Sequence, residues 1–398
     1  MKRFISRKCH FEALHNTVTL KIGTESTNNE ALQVGCCTAM KRTVRLSDVA
    51  ATAGVSLGTA SNTFNRPGLV RPEVRELVEG TARRLGYSGP DPIGRLLMGA
   101  KAHAIGVLPP GDMPVAHAVS SPFFREFMLG VAEVCDENDA SLLVISGAEN
   151  RKTWAIKNAL VDGFILGQLE EAALVAARQR KTPFVVMDVD AGPEVNSVRV
   201  DGRDGARRAA EHLLDLGHRR FAIFSVLRKP ADAIWNPPAT SERRLTGGFP
   251  LDHEKLLGYA DALALAGISV NDAPVVEAHP LSPWVEDGAR MILDRSHEAT
   301  AILAMSDRHA VAVLAEAKRR NINIPKELSV IGFDDAENAI FADPPLTTIA
   351  QPTTEKGRIA TRILFEAGLP RQVVLPAKLV LRASTAPARS PNIGSQGV

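Results

Sequence analysis

Long hydrophobic runs are missing from this 398-residue chain. No apolar stretch approaches the 18 or more residues that a membrane-spanning helix requires. The first residues, Met1 to Arg7, lack the apolar core of a secretory signal peptide. We therefore exclude an integral membrane protein and expect the protein to stay in the cytoplasm.

Cysteine is scarce, and its placement argues against two kinds of site. Three of the four cysteines, Cys9, Cys36 and Cys37, fall within the first 39 residues, and only Cys135 follows. This distribution forms no disulfide framework. The adjacent residues Cys36 and Cys37 could suggest a metal site, but the chain has no second pair of cysteines at metal-ligand spacing. The chain also lacks a G-x-S-x-G nucleophile elbow and a phosphate-binding glycine loop. We therefore predict no metal site, no cofactor and no enzymatic activity.

Residues 45–65 (RLSDVAATAGVSLGTASNTFN) combine two helical patterns with a break between them. Gly54 suits the left-handed backbone at the end of a first helix, and Ser56 suits the cap of a second. The second helix, 57–64, carries small and polar side chains, so it can lie flat in a groove. The pattern predicts a helix-turn-helix whose second helix enters the DNA major groove; the alternative is a helical hairpin without a ligand. The first helix is indicated by an apolar stripe at i, i+3, i+4 and i+7, formed by Leu46, Val49, Ala50 and Ala53.

Charge is divided unevenly along the chain, although the formal net charge is only +2. Residues 41–101 hold ten Lys or Arg against five Asp or Glu, whereas residues 102–398 hold 32 against 37. Binding to phosphates requires an excess of positive charge, and only the first of these two segments has one. The sequence thus predicts a basic DNA-binding head on an acidic body.

The same segment resembles the DNA-binding head of the LacI/GalR family of bacterial transcription regulators. A third predicted helix, 71–85, ends in Leu85-Gly86-Tyr87, which is similar to the family's usual exit from the head. The family pattern L-x-D-V-A-x-x-A-G-V-S-x-x-T-x-S is met by Leu46, Asp48, Val49, Ala50, Ala53, Gly54, Val55, Ser56, Thr59 and Ser61. The resemblance implies a double-stranded DNA operator contacted by Ser56, Leu57, Gly58, Thr59, Ser61, Asn62, Asn65, Leu96 and Leu97.

The predicted recognition helix departs from the family where specificity is set. By resemblance, Leu57, Gly58 and Asn62 occupy the three positions that contact bases, and many family members carry arginine at the last of them. Arginine pairs with guanine through two hydrogen bonds, whereas asparagine suits adenine. We expect the operator to differ from the family's common half-site opposite Asn62.

The linker, 88–102, resembles the family's hinge helix, which orders on the operator and wedges a leucine into the minor groove. Gly94 replaces the family's alanine here. Because glycine costs about 1 kcal/mol relative to alanine in a helix, we expect this hinge to be less ordered without DNA. We expect Leu97 to be the leucine that enters the minor groove, with Leu96 as the alternative. A different interpretation is that both leucines pack between two subunits and do not contact DNA.

From residue 104 onward, short apolar runs alternate with helical patterns such as 124–138 and 205–216. Strands that are buried on both faces have this composition, so it predicts an α/β body of parallel sheets covered by helices. The predicted strands are 104–110, 141–146, 161–166, 183–188, 220–226, 273–278, 300–305 and 328–333.

We predict five segments along the chain. Residues 1–39 have neither helical nor strand period and are expected to be disordered, or not native if translation begins at Met40. Residues 41–87 form the helix-turn-helix head and 88–102 the hinge. Residues 103–385 form the effector-binding and dimerisation domain, and 386–398 a tail.

Several phrases in the body resemble the effector domain of the same family. They include S-P-F-F at 121–124, I-G-F-D-D at 331–335 and P-P-L-T-T-I at 344–349. The family's domain is similar to periplasmic sugar-binding proteins, in which two α/β lobes close on a small molecule. The resemblance therefore implies a ligand cleft between two lobes.

Five residues are candidates for effector binding, because ligands of open α/β sheets lie beyond the carboxyl ends of the strands. Asp188, Arg207 and Asp307 match family positions that bind effector, and carboxylates with a guanidinium suit a polyhydroxylated ligand. For Arg207 and Asp307 the alternative is a salt bridge between the lobes. Phe124 and Tyr259 match positions where an apolar or aromatic face packs against the ligand, or else they are ordinary core residues.

Three further features have simpler interpretations than their residue types suggest. His212 and His218, six residues apart, do not share a helix face, so we assign them to capping and packing and not to a metal. Asp334 and Asp335 resemble an acid–base pair, but the family uses this turn structurally. The proline-rich segment 228–250 predicts a surface loop, or alternatively places Trp235 over the cleft mouth.

These observations predict a sequence-specific transcription regulator, expected to be a repressor. A homodimer would present two heads to an inverted-repeat operator, with DNA affinity controlled by a sugar-like effector through induction or corepression. Alternatives are a sugar-binding receptor without DNA function, a corepressor-dependent regulator that responds to a nucleobase or nucleoside, and a carbohydrate enzyme. The basic head counts against the receptor, and the missing catalytic motifs count against the enzyme.

Overall fold

The computed structural model describes residues 13–14, 17–18, 44–89, 101–111, 113–147, 151–167, 171–239, 243–366 and 368–389. The chain divides into two compact units between residues 99 and 100. The predicted hinge residues Gly94, Leu96 and Leu97, and the proposed start at Met40, lie outside the described residues. Two short antiparallel strands, β1 (Ala13–Leu14) and β2 (Thr17–Val18), pair within the first unit.

The head is a small three-helix domain. Its helices are α1 (Leu46–Ala53), α2 (Leu57–Asn65) and α3 (Pro72–Leu85), with a 3₁₀ turn at Pro67–Leu69. Gly54 ends α1 at φ 67°, as predicted, because glycine tolerates this left-handed backbone. Ser56 caps α2 by accepting a hydrogen bond from the Thr59 amide at 3.0 Å, also as predicted. The small core consists of Val49, Ala50, Ala60, Val78 and Ala82.

The second unit consists of two α/β lobes. The first lobe has a six-stranded parallel sheet in the order β14-β7-β6-β5-β3-β4. Its strands are β3 (Ala104–Leu108), β4 (Ser141–Val144), β5 (Gly163–Gly167), β6 (Phe184–Met187), β7 (Asn196–Val200) and β14 (Gln372–Leu375). Its helices are α4 (Val115–Ser120), α5 (Pro122–Glu137), α6 (Lys152–Asn158), α7 (Glu171–Arg180) and α13 (Thr353–Phe365).

The second lobe has a seven-stranded sheet in the order β15-β13-β12-β11-β8-β10-β9, with antiparallel strands at both edges. Its strands are β8 (Phe221–Val226), β9 (Ile234–Asn236), β10 (Val275–Ala278), β11 (Ala301–Ala304), β12 (Ser329–Asp334), β13 (Thr347–Ala350) and β15 (Lys378–Val380). Its helices are α8 (Gly202–Asp215), α9 (Pro250–Leu265), α10 (Trp284–Arg295), α11 (Asp307–Arg319) and α12 (Glu337–Ile340), with a 3₁₀ turn at Val270–Asp272.

The chain passes between the two lobes three times. The crossovers lie between β7 and α8, between β13 and α13, and between β14 and β15. Because parallel strands place their carboxyl ends at one edge of each sheet, these crossovers and the loops after the strands border the cleft between the lobes. The hydrophobic cores lie on both faces of each sheet, as expected for strands covered by helices.

All eight predicted strands are present within two residues of their expected ends. The prediction of a surface loop for 228–250 is wrong at Ile234–Asn236, because these residues form β9 and pair with β10. The alternative position of Trp235 is also wrong. Trp235 pairs with Val276, and it lines a groove with Phe221 and Pro274 at the amino ends of β8 and β10, away from the cleft.

No helix among the described residues is long and apolar enough to cross a membrane.

Candidate functional site

The head presents one uncovered face of α2. Ala60 and Thr63 point into the head core, and at 100° per residue the opposite face carries Leu57, Gly58, Ser61, Asn62 and Asn65. Leu57 is 55% exposed. The helix therefore presents the predicted contacts Leu57, Gly58 and Asn65 as exposed residues, with Ser61 and Asn62 partly exposed beside them.

Short polar side chains hold the start of this helix. Besides accepting from the Thr59 amide, the Ser56 hydroxyl lies 2.9 Å from the Thr59 hydroxyl. Asn65 donates to the Ser61 hydroxyl at 3.2 Å. The Asn62 side chain makes no hydrogen bond within residues 44–89, so its amide is available to a base edge. The predicted contacts Leu96 and Leu97 are outside the described residues.

The cleft side of the first lobe contains a pocket at the carboxyl ends of β3, β5 and β6. Two predicted effector residues, Phe124 and Asp188, line it together. Phe123 also lines this wall and is only partly buried, whereas Phe124 is 3% exposed. The other lining side chains used below are Leu108, Phe127 and Lys356. The wall is therefore apolar and aromatic, with one carboxylate and one ammonium.

Asp188 has a left-handed backbone conformation and a carboxylate that accepts three hydrogen bonds. Its φ is 52°, and its side chain is nearly buried. Both carboxylate oxygens accept from the Lys356 ammonium at 2.9 Å, and Oδ1 also accepts from the Val200 amide at 3.3 Å. The sequence signalled Asp188 through the end of a strand, but Lys356, 168 residues away, carried no local signal.

Asp307 begins α11 and is fully buried in the second lobe. Its carboxyl accepts from the Thr348 hydroxyl and from the Ala336 amide, the latter at 2.9 Å. Burial, with the nearby Asp334 carboxyl, raises the pKa of Asp307 well above its usual range. Asp307 therefore makes no salt bridge between the lobes, and it does not line the pocket of the first lobe.

Asp334 and Asp335 adopt positive φ angles of 119° and 57° at the end of β12. Asp334 accepts from the Gln351 side-chain amide at 2.6 Å, and burial raises its pKa to about 6. Asp335 instead pairs with Arg382 at 2.5 Å. The two carboxyls thus have separate partners, which agrees with a structural turn.

A buried ion pair next to this turn was not predicted from the sequence. Lys255 on α9 donates to Asp252 at 3.3 Å and to the Met305 carbonyl at 2.7 Å. The ammonium also lies 4.3 Å from the centre of the Phe333 ring. These contacts tie α9 to the carboxyl ends of β11 and β12, which form the second wall of the cleft.

Arg207 and Tyr259 do not join the pocket. Arg207 is paired with Asp204 and Glu211 on its own helix, α8, so it makes no lobe-to-lobe salt bridge. Tyr259 is completely buried in the core of the second lobe, and its hydroxyl has no hydrogen-bond partner within the described part of the chain. In this arrangement Tyr259 has the position of a core residue.

His212 and His218 contact residues 385 and 386, which follow the last strand of the second lobe. His212 Nε2 lies 3.0 Å from the Thr385 hydroxyl. The His218 ring contacts the hydroxyls of Thr300 and Ser329 and the Ala386 carbonyl at 2.9–3.0 Å. These packing contacts are those expected of structural histidines, and the described residues include no cluster of three or more His, Cys, Asp or Glu side chains suited to a metal.

The mouth of the cleft is closed by contacts between α5 and α12. Glu126 of the first lobe accepts from the Glu337 amide of the second lobe at 3.2 Å. Arg125 lies 3.7 Å from the Glu337 carboxylate, with both side chains largely exposed. Partial burial raises the pKa of Glu126. The two lobes therefore touch at the mouth as well as at the crossovers.

A helix-turn-helix head with an uncovered second helix, joined in one chain to a two-lobed ligand-binding fold, defines a DNA-binding regulator with an effector domain. Residues 45–89 match the model of the bacterial regulatory proteins of the lacI family, and residues 210–385 match the periplasmic binding protein-like domain. An HTH-type transcriptional regulator from Mycolicibacterium smegmatis is 32% identical over 87% of this chain and 97% of its own length. The chain belongs to the LacI family of transcriptional regulators, and it is not an enzyme.

Two solved structures share both parts of the chain. The lac repressor dimer, bound to operator and the anti-inducer ONPF, has a TM-score of 0.70 and 25% identity, covering 87% of this chain and 100% of the repressor. The complex of the transcriptional regulator CelR with cellobiose has a TM-score of 0.61 and 25% identity, covering 86% of this chain and 99% of CelR. The family thus includes members solved with DNA and with a sugar.

Proposed function

We propose that this regulator is a homodimeric repressor of an inverted-repeat operator, controlled by a small polyhydroxylated effector in the cleft. The carrying observation is the pocket at the strand ends of the first lobe, which brings Phe124 and Asp188 together. The lac repressor solved as a dimer on its operator, and CelR solved with cellobiose, support the same arrangement.

Each wall of the cleft offers polar groups that suit a polyhydroxylated ligand. Asp188 keeps acceptor capacity for a ligand hydroxyl, because a carboxylate has about four lone-pair sites and three are used here. Asp307 and Thr348 form a polar group on the second lobe. Asp307 is fully buried within this lobe, so a ligand reaches it only if the surrounding second-lobe residues move.

A nucleoside is the second candidate effector, and the aromatic wall favours it. Phe123, Phe124 and Phe127 line the pocket, while the polar side chains Asp188 and Lys356 are paired with each other. A sugar can turn only the C–H side of its ring to this wall, whereas a base presents a flat aromatic face to it. The phenylalanine wall therefore distinguishes the two ligand classes.

Thermal-shift measurements on the full chain test the effector proposal. The panel contains monosaccharides, disaccharides, sugar acids, polyols and nucleosides, and at least one is expected to raise the melting temperature. Phe123→Ala should weaken this shift, and most strongly for a nucleoside. Phe365→Ala removes a phenylalanine of the same lobe that does not line the pocket, and it should leave the shift intact.

A second pair of variants tests the other wall. Asp307→Asn should abolish the ligand-induced shift, whereas Asp261→Asn removes an exposed carboxylate that pairs with Arg203 and should preserve it. The absence of a shift with every compound of the panel, or an unchanged shift in Asp307→Asn, contradicts the proposal.

The DNA half is tested separately by gel-shift titration on the upstream region of the protein's own gene. Neutralised phosphates release counterions, so the affinity should fall steeply with salt concentration. The stoichiometry of the complex, measured by analytical ultracentrifugation, should be two chains per operator. One chain per operator overturns the dimer proposal, and binding without sequence preference overturns the operator proposal.

A further inference from the structure

Lys356 has three acceptors for its three ammonium hydrogens. The residue lies in the first turn of α13, and its side chain is only 1% exposed. It donates to both Asp188 oxygens at 2.9 Å and to Gln351 Oε1 at 2.7 Å. A buried ammonium is costly unless it is fully paired, so the surroundings fix the position of this side chain.

The partners of Lys356 lie in the first lobe and in the crossover between β13 and α13. Asp188 follows β6 of the first lobe and also accepts from the amide of Val200, the last residue of β7 in the same lobe. Gln351 lies in the crossover between β13 and α13. Its amide nitrogen donates at 2.6 Å to Asp334, on β12 of the second lobe.

A continuous chain of polar contacts therefore runs from the first lobe to the second through the crossover between β13 and α13. Its order is Val200, Asp188, Lys356, Gln351 and Asp334. We name this chain the crossover network. The backbone of the crossovers must change when the lobes rotate, since domain closure is absorbed at a few such connecting residues.

We propose that Lys356 is a positioning residue that holds the two lobes in their closed arrangement through the crossover network. Rotation of the lobes pulls on the link Lys356–Gln351–Asp334, because Lys356 belongs to the first lobe and Asp334 to the second, and these buried bonds lie in a region of low dielectric where they are strong. Asp188 and Lys356 also line the pocket, so a ligand there contacts the network directly. Occupancy of the cleft thereby acts on the same bonds that set the lobe arrangement.

Another buried lysine provides a matched control. Lys255 pairs with Asp252 and the Met305 carbonyl, and its side chain is 4% exposed. All of its hydrogen bonds remain within the second lobe. Lys255→Met therefore removes the same group at the same depth without cutting a link between the lobes.

Distances across the cleft mouth, measured by double electron–electron resonance on the ligand-free full chain, test the proposal. Spin labels are placed by Leu129→Cys and Phe341→Cys, at two exposed positions on opposite lobes. The four native cysteines are replaced, and excess unlabelled protein removes distances between subunits. Lys356→Met should give a longer mean distance and a broader distribution than the parent, whereas Lys255→Met should reproduce the parent distribution.

Two further variants keep the test decisive if Lys356→Met does not fold. Asp188→Asn combined with Lys356→Met removes both charges, and Gln351→Leu cuts the link to Asp334 without touching the ion pair. Both should broaden the distribution. Parent-like distances in folded Lys356→Met, or in both of these variants, overturn the proposal, as does equal broadening in Lys255→Met. No effector is used, so failure of the effector proposal leaves this outcome unaffected.

Discussion

Gly130 on α5 lies against Gly357 on α13, and their backbones are in direct contact. A Cβ atom on Gly357 would stand 3.3 Å from the Gly130 carbonyl carbon and 2.3 Å from the Phe127 oxygen. A Cβ atom on Gly130 would stand 1.9 Å from the Thr354 oxygen. The two glycines thus set the distance between the helix that carries the phenylalanine wall and the helix that carries Lys356.

Gly130→Ala should lower the free energy of unfolding by about 3 kcal/mol, because a backbone oxygen cannot move aside as a side chain does. Chemical denaturation of the body measures this value. Gly80→Ala in α3 is the control for the substitution itself. Its Cβ would meet nothing within 4 Å, so the head should gain about 0.5–1 kcal/mol. A neutral Gly130→Ala would show that the helices separate without cost.

Lys255→Met should destabilise the second lobe by about 3–5 kcal/mol, because it leaves the buried Asp252 carboxylate without its cation. Lys318→Met breaks a pair with Asp343 whose side chains are 71% and 77% exposed, and it should cost far less than Lys255→Met because solvent screens this pair. Urea denaturation of both variants gives the comparison. Equal losses would mean that burial does not determine the strength of these pairs.

His309 should make the body less stable in mild acid. Its ring is fully buried, contacts the Ala278 carbonyl at 2.9 Å, and has its pKa lowered to about 4 by burial, from an ordinary 6.5. Between these pH values the unfolded chain binds a proton that the folded chain does not, so stability decreases as pH falls. The raised pKa of Asp334 acts in the opposite direction, but it does so equally with and without His309.

The comparison that isolates His309 is between the parent protein and His309→Gln at pH 7 and pH 5. The parent should lose about 2 kcal/mol more than the variant over this range. His297→Gln removes an exposed histidine and should behave as the parent does. A parent and a His309→Gln variant with the same pH dependence would show that folding does not lower the pKa of His309.

Asn62→Ala should reduce discrimination at one base pair of each half-site by about 1–3 kcal/mol, the usual value of a paired contact to adenine. Gel shifts with operators that differ at single positions measure this loss. Leu77→Ala changes an exposed residue of α3 and should leave the base preference unaltered. An unchanged preference in Asn62→Ala would remove Asn62 from the set of base-contacting residues.

Local patterns were sufficient for the helix-turn-helix and the buried parallel strands. The stripe of Leu46, Val49 and Ala50, the cap at Ser56 and the apolar strand runs each involve residues near one another in the chain, so periodicity reports them directly. Strand β9 was not predicted, because Ile234–Asn236 lie in a proline-rich segment and form a strand only by pairing with β10.

The candidate site was less accessible to sequence reasoning, because its contacts join distant segments. Asp188 was predicted from its place after a strand and it lines the pocket, but the pairing that occupies its carboxylate depends on Lys356, which follows it by 168 residues. Phe123 stood beside the chosen Phe124 in one motif, and only the packing of α5 distinguishes the partly exposed ring from the buried one. Arg207 had partners three and four residues away on its own helix, which a position match does not reveal.

Strands β14 and β15 follow one another near the end of the chain, yet each completes a different sheet. During synthesis, therefore, neither lobe has its last edge strand until residues 372–380 have left the ribosome. Residues 384–386 then bond to Val330, His218 and Ser329. The completion of both sheets thus depends on one short segment, and a chain released before residue 372 would expose an unpaired strand edge in each lobe at the same time.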